Sequence, residues 1–69
     1  MDRGFVPGVR IRSTRPITHP GGILRRAAEG TVRTRRENIG RQLLTVEFDS
    51  GERLVLFPHE IELLTGLAA

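Results

Sequence analysis

The stretch from Ala27 to Leu64, AAEGTVRTRRENIGRQLLTVEFDSGERLVLFPHEIELL, alternates apolar and polar residues in short runs separated by turn signals. A period of two is the spacing of a half-buried strand, and nothing in the chain competes with it at the spacing of an amphipathic helix. The expected fold is all-β.

The strands follow from that pattern. Pro7 and Gly8 open the first, VRIRST, in which Val9 and Ile11 alternate with Arg10 and Arg12. From Arg15 to Ala28 the alternation breaks at Pro16, Pro20, Gly21 and Gly22, which marks a long loop. Glu29 to Arg36 is the second strand, with Val32 and Thr34 on one face and Thr31, Arg33 and Arg35 on the other. ENIG turns the chain, and Leu43 to Phe48 is the third strand. Pairing Val32 with Val46 sets Thr34 against Leu44, Arg33 beside Thr45 and Thr31 opposite Glu47.

The next turn, DSG, admits two registers. A two-residue turn aims Val55 and Phe57 inward; a three-residue turn with a glycine bulge aims Leu54 and Leu56 inward. In either register LVLF is apolar on both faces, so one face needs a cover, either the long loop through Ile17, Ile23 and Leu24 or a partner. Pro58 ends the fourth strand, PHE suits a 3₁₀ turn, and IEL alternates as a short last strand. Five short strands, a long loop between strands one and two, and a 3₁₀ turn before strand five make the order of a small SH3-like barrel over residues 8–64. Residues 1–7 and 65–69 are expected to be flexible termini.

At 69 residues the chain is one domain with a small core, and it has no cysteine for a disulfide or a thiolate metal site. It shows no secretory signal and no apolar run of membrane-spanning length, which reads as a soluble cytoplasmic protein. The 11 basic residues are all arginine against 8 acidic ones, a net charge of +3. That excess is modest, and the sequence carries no nucleophile elbow, phosphate loop or other reactive constellation, so catalysis is not expected. His19 and His59 lack the local spacing of a ligand set, and no metal or cofactor is expected.

The feature with function in it is the arginine cluster: Arg15, Arg25 and Arg26 in the long loop, and Arg33, Arg35, Arg36 and Arg41 around the first hairpin. Balanced by Glu29, Glu37 and Glu47 it is an ordinary solvated face. The register above leaves Arg33 and Arg35 with no carboxylate directly across, as a site for an acidic protein partner requires. Nucleic acid is the rival ligand. It needs only arginines for the phosphates, yet three phenylalanines and no tyrosine or tryptophan leave little to stack on. Self-association through the outer face of LVLF is a third reading, so the oligomeric state stays open.

GVRIR at the first strand, EGTV at the second, the hairpin VEFDSG and the ending FPHEIELL together resemble the SH3-like barrels of electron-transport accessory proteins. That group includes the small SH3-like barrel of photosystem I, the ferredoxin–thioredoxin reductase variable chain and the nitrile hydratase beta-subunit barrel. KOW-type and Tudor-type barrels share much of the pattern. The resemblance implies a non-catalytic accessory subunit that docks onto a larger redox or photosynthetic complex, using Arg15, Arg25, Arg26, Arg33, Arg35 and Arg36 against an acidic partner. The lysines and tyrosines expected around such a site are missing here.

Overall fold

The structure, a computed structural model, describes residues 4–64. Seven strands and one 3₁₀ turn follow in order: β1 (Arg10–Ser13), β2 (Ile17–His19), β3 (Gly22–Leu24), β4 (Glu29–Asn38), β5 (Arg41–Phe48), β6 (Arg53–Leu56), the 3₁₀ turn (Pro58–Glu60) and β7 (Ile61–Leu63). Five strands form one antiparallel sheet in the order β6-β5-β4-β1-β7, and β2 pairs with β3 as a separate ribbon. The all-β expectation is met. The large sheet has β6 and β7 as its two edges, with no ladder joining them, so the strands do not close into a hydrogen-bonded barrel.

Of the two segments expected to be flexible termini, residues 1–3 and 65–69 lie outside the described residues. Phe5 packs against the core, and the Gly8 N–H donates to the Val32 carbonyl at 2.7 Å, so the chain is already engaged before β1 begins.

The long loop is more regular than its prolines and glycines suggest. Pro20 and Gly21 do not prevent pairing, because they sit in the turn between β2 and β3 while Ile17 and Leu24 face each other across the ribbon. Both side chains are buried and join the core, whereas Ile23, the third residue expected to cover it, is 72% exposed. Ser13, the one buried polar residue among those described, ties this segment down. Its hydroxyl donates to the Arg25 carbonyl and accepts from the Ala28 N–H, both at 3.1 Å.

The β4–β5 pairing begins as expected, with Thr31 opposite Glu47 and Val32 opposite Val46. Beyond Val32 it differs. A bulge places Arg33 and Thr34 together against Thr45, so Arg35 pairs with Leu44 and Arg36 with Leu43. The residues after Val32 are polar on both faces, so burial gives the register nothing to hold on to. The two strands also run to Asn38 and Arg41, and the turn is only Ile39 and Gly40, both at positive φ (50° and 76°), the pattern of a type I′ hairpin.

The β5–β6 turn resolves to three residues, Asp49 to Gly51. Phe48 and Glu52 close it by a 2.8 Å bond from the Phe48 N–H to the Glu52 carbonyl, and Gly51 takes φ 111°. Leu56 is therefore buried and Leu54 packs against the core, while Val55 faces out, 56% exposed. The core is Ile11, Ile17, Leu24, Val32, Leu44, Val46, Phe48, Leu56 and Ile61. Val9, Ala28 and Leu63 pack around it.

At Gly30, β4 passes close against the backbone of β5. A Cβ there would stand 2.7 Å from the Glu47 carbonyl oxygen and 2.9 Å from the Phe48 Cα, both backbone atoms that cannot swing aside. Gly30→Ala is expected to cost about 1–3 kcal/mol by overpacking, read as a lowered midpoint in denaturant titration. Ile39 is the opposite case, a β-branched residue held at φ 50° with its side chain in solvent. Ile39→Asn is expected to stabilise the fold by up to about 1 kcal/mol, since asparagine tolerates that conformation, and thermal unfolding would show it as a raised midpoint.

Candidate binding surface

The outward face of the large sheet carries charge in rows set by strand register. Arg10, Thr31, Glu47 and Arg53 lie side by side across β1, β4, β5 and β6, and Glu29, Arg12 and Glu62 form the next row. Alternating signs across a sheet produce ion pairs directly. Arg12 Nε lies 2.5 Å from a Glu62 oxygen, and Glu47 takes Arg33 at 3.5 Å and Arg53 at 3.4 Å. All are solvent-exposed, each worth about 0–1 kcal/mol.

Arg10 makes the best of these contacts. Its guanidinium donates to both Asp49 carboxylate oxygens, at 2.9 and 2.7 Å, to Thr31 Oγ1 at 3.0 Å and to Glu29 at 3.4 Å. The fork fixes the Asp49 turn to β1 and holds the Asp49 carboxyl below its ordinary pKa. Glu52, three residues on, is lowered as well, first by the Ser50 hydroxyl and then by a backbone N–H. A carboxylate whose folded pKa is depressed contributes stability that is present above its unfolded pKa and is lost as the pH falls through the folded value. Acid destabilisation is therefore expected to begin as the pH drops below the ordinary carboxylate range. Asp49→Asn lacks that contribution at every pH. Its stability-versus-pH profile should lie below the wild type near neutrality, be flatter through the carboxylate range and converge with the wild type in acid.

The seven arginines expected to act together do not form one cluster. Arg15, Arg25 and Arg26 are exposed in the segments flanking β2 and β3, and Arg33, Arg35, Arg36 and Arg41 lie along the β4–β5 hairpin. Ten residues of β4 run from one group to the far end of the other, roughly 30 Å of strand. Arg33 is not left without a carboxylate: the bulge brings it to Glu47. The bulge also inverts the alternation, so Arg35 shares the face of Leu44 and Arg36 that of Leu43, and Arg33 and Arg35 no longer share a surface. Arg35 is engaged within the chain, while Arg36 makes no ion pair among the described residues.

Arg41 leads to residues that the sequence pattern does not single out. Its guanidinium carbon lies 5.8 Å from the centroid of the Phe57 ring, and the His59 ring is stacked on Phe57, 5.9 Å away and 8° from parallel. Pro58 and Gln42 complete a shallow pocket of about 370 Å³ at this end of the sheet. Gln42 Oε1 is buried there with no hydrogen-bond partner. The 3₁₀ turn holds Phe57 and His59 in place, because Glu60 accepts the Phe57 N–H at 2.9 Å and Thr14 donates to the His59 carbonyl at 3.3 Å. One signal for the pair is present in LVLFPH, where an apolar ring falls on the outward phase of the strand just before a proline.

Among the described residues no three histidine, aspartate or glutamate side chains stand together as a metal-ligand group, and no helix is long and apolar enough to cross a membrane. Compared with protein-family models, curated proteins and solved structures, the chain matches none.

Proposed function

We propose that this chain is a non-enzymatic binding module, an accessory subunit of the SH3-like kind, that docks an acidic protein partner through the outer end of the β4–β5 hairpin. The observation that carries the reading is the division of charge. Arg10, Arg12, Arg33 and Arg53 on the body of the sheet are matched by Glu29, Asp49, Glu47 and Glu62, whereas Arg36 and Arg41 on the projecting hairpin make no ion pair among the described residues, with Glu37 as the one carboxylate near them in sequence. Arginines in such a place offer planar donor forks to carboxylates of another molecule. Beside them Leu43, Phe57 and Val55 supply apolar contact area around the arginines, a residue type enriched in binding hot spots. The sequence resemblance to electron-transport accessory proteins directs the proposal to a larger redox complex.

The test is co-purification from native extract after nuclease treatment, with wild-type chain and with Arg36→Glu, Arg41→Glu. A stoichiometric acidic partner that binds the wild type and is lost from the double variant, with unfolding midpoint preserved, is the expected outcome. Retention of every partner by the folded variant would overturn the docking site.

A second reading, single-stranded nucleic acid, is favoured by the stacked Phe57 and His59 rings beneath Arg41, since ring faces accept bases and arginines accept phosphates. It requires that affinity for a labelled oligonucleotide, followed by anisotropy, fall steeply with salt and weaken when Phe57 is replaced by leucine. Absence of binding at low salt removes it.

A further inference from the structure

The tip of the β4–β5 hairpin and the opposite end of the same strands are complementary to each other. Ile39 is 94% exposed and held at φ 50°, a conformation that glycine or asparagine occupies at little cost and a β-branched residue does not. An apolar side chain in water on a strained backbone is doubly unfavourable for the isolated fold, and strain of this kind concentrates where a segment engages something else. Arg36 and Arg41 flank this knob without ion pairs among the described residues, and with Glu37 between Arg36 and the tip the knob keeps a small net positive charge.

At the other end of β4 and β5 lies a groove of about 490 Å³. Its apolar wall is formed by Leu24, Ala28 and Ile23, the last also largely exposed, and its rim carries the carboxylates of Glu29, Asp49 and Glu52. Arg10 holds Asp49 and Glu29 in position yet leaves their side chains 60% and 53% exposed. Arg25 is the one cation on the wall. The most exposed large apolar residues of the described chain, Ile39 and Ile23, thus sit one on a basic knob and one in an acidic groove. Eight residues of β5, about 26 Å of strand, separate the two ends, so no chain can fill its own groove.

We propose that the Ile39 knob of one copy seats in the Ile23 groove of a second copy, giving head-to-tail self-association. The contact is heterologous: each copy keeps a free knob and a free groove, so assembly continues past the dimer into rings or open chains. A single hairpin tip covers less than a standard interface, so the assembly is concentration-dependent and weak. The knob shares the hairpin with the proposed docking of an acidic partner, and the two are told apart because the substitutions that test self-association leave every arginine in place.

The experiment is sedimentation velocity of the full chain over a range of concentrations. The wild type is expected to rise in mass beyond a dimer and to return toward monomer in high salt. Ile39→Asn, which removes the knob while easing the turn, and Ile23→Asp, which places a charge in the groove at an exposed position, should each remain monomeric alone. Mixed together, they keep one intact knob and one intact groove and should form a dimer that grows no further. A wild type monomeric at all concentrations, an Ile39→Asn chain that assembles like the wild type, or a mixture that stays monomeric would each overturn the proposal.

Discussion

Arg33 occupies the one extra residue in β4, and the surface of the hairpin depends on it. Up to Val32 the strand is fixed by burial, since Val32, Val46 and Phe48 must face inward together and Gly30 must pass against the Glu47 carbonyl. Past Val32 that constraint is gone, and the bulge at Arg33 reverses which side chains point outward. The result is a strand with two jobs along its length. Its first half closes the core, and its second half carries arginines out beyond it.

The charge distribution follows the same division. Where strands are pinned by the core, register sets opposite charges side by side, as in Arg53, Glu47 and Arg10 with Glu29, Arg12 and Glu62, and each pair saturates locally. Where the hairpin leaves the core, no third strand lies beside it, and Glu37 is its one carboxylate against Arg35, Arg36 and Arg41. A net charge of +3 therefore understates the polarity of the molecule: neutral over the sheet body, where each carboxylate holds an arginine, and basic at the hairpin. Fields of this shape steer and orient partners more than they strengthen binding.

The all-β class, the inward faces of β1 and β5, the 3₁₀ turn and the final strand are legible in the sequence because apolar residues recur at every second position and glycine or proline marks the breaks. Thr31 opposite Glu47 and Val32 opposite Val46 are legible for the same reason. The β2–β3 ribbon is not, because a three-residue strand shows too few alternations to stand out between Pro16 and Gly22. The bulge is hidden by a run of polar residues that fits either phase. The arginines are visible as residue types but their grouping is not, since adjacency in sequence across a bulge says nothing of adjacency in space. Phe57 fits neither core nor free stacking platform, because it is half-buried and lines the pocket with Arg41 and His59 against its ring.

That half-buried ring is compatible with either class of ligand. A base can stack on Phe57 only if the Arg41 guanidinium leaves the ring, and an exposed cation–π contact at 5.8 Å is worth about 0.5–1 kcal/mol, less than the stacking that replaces it. The hairpin poses no barrier to nucleic acid at this point. What it lacks is a track: Arg15, Arg25 and Arg26 stand a strand length away, and the carboxylates of Glu47, Glu29 and Asp49 lie on the sheet body between the two basic regions. A phosphate backbone would have to cross that ion-paired stretch, where every carboxylate already holds an arginine, to reach both groups, whereas a folded partner with one acidic patch needs only the hairpin. The proposal of a protein partner rests on this separation of the two arginine groups as much as on the arginines themselves.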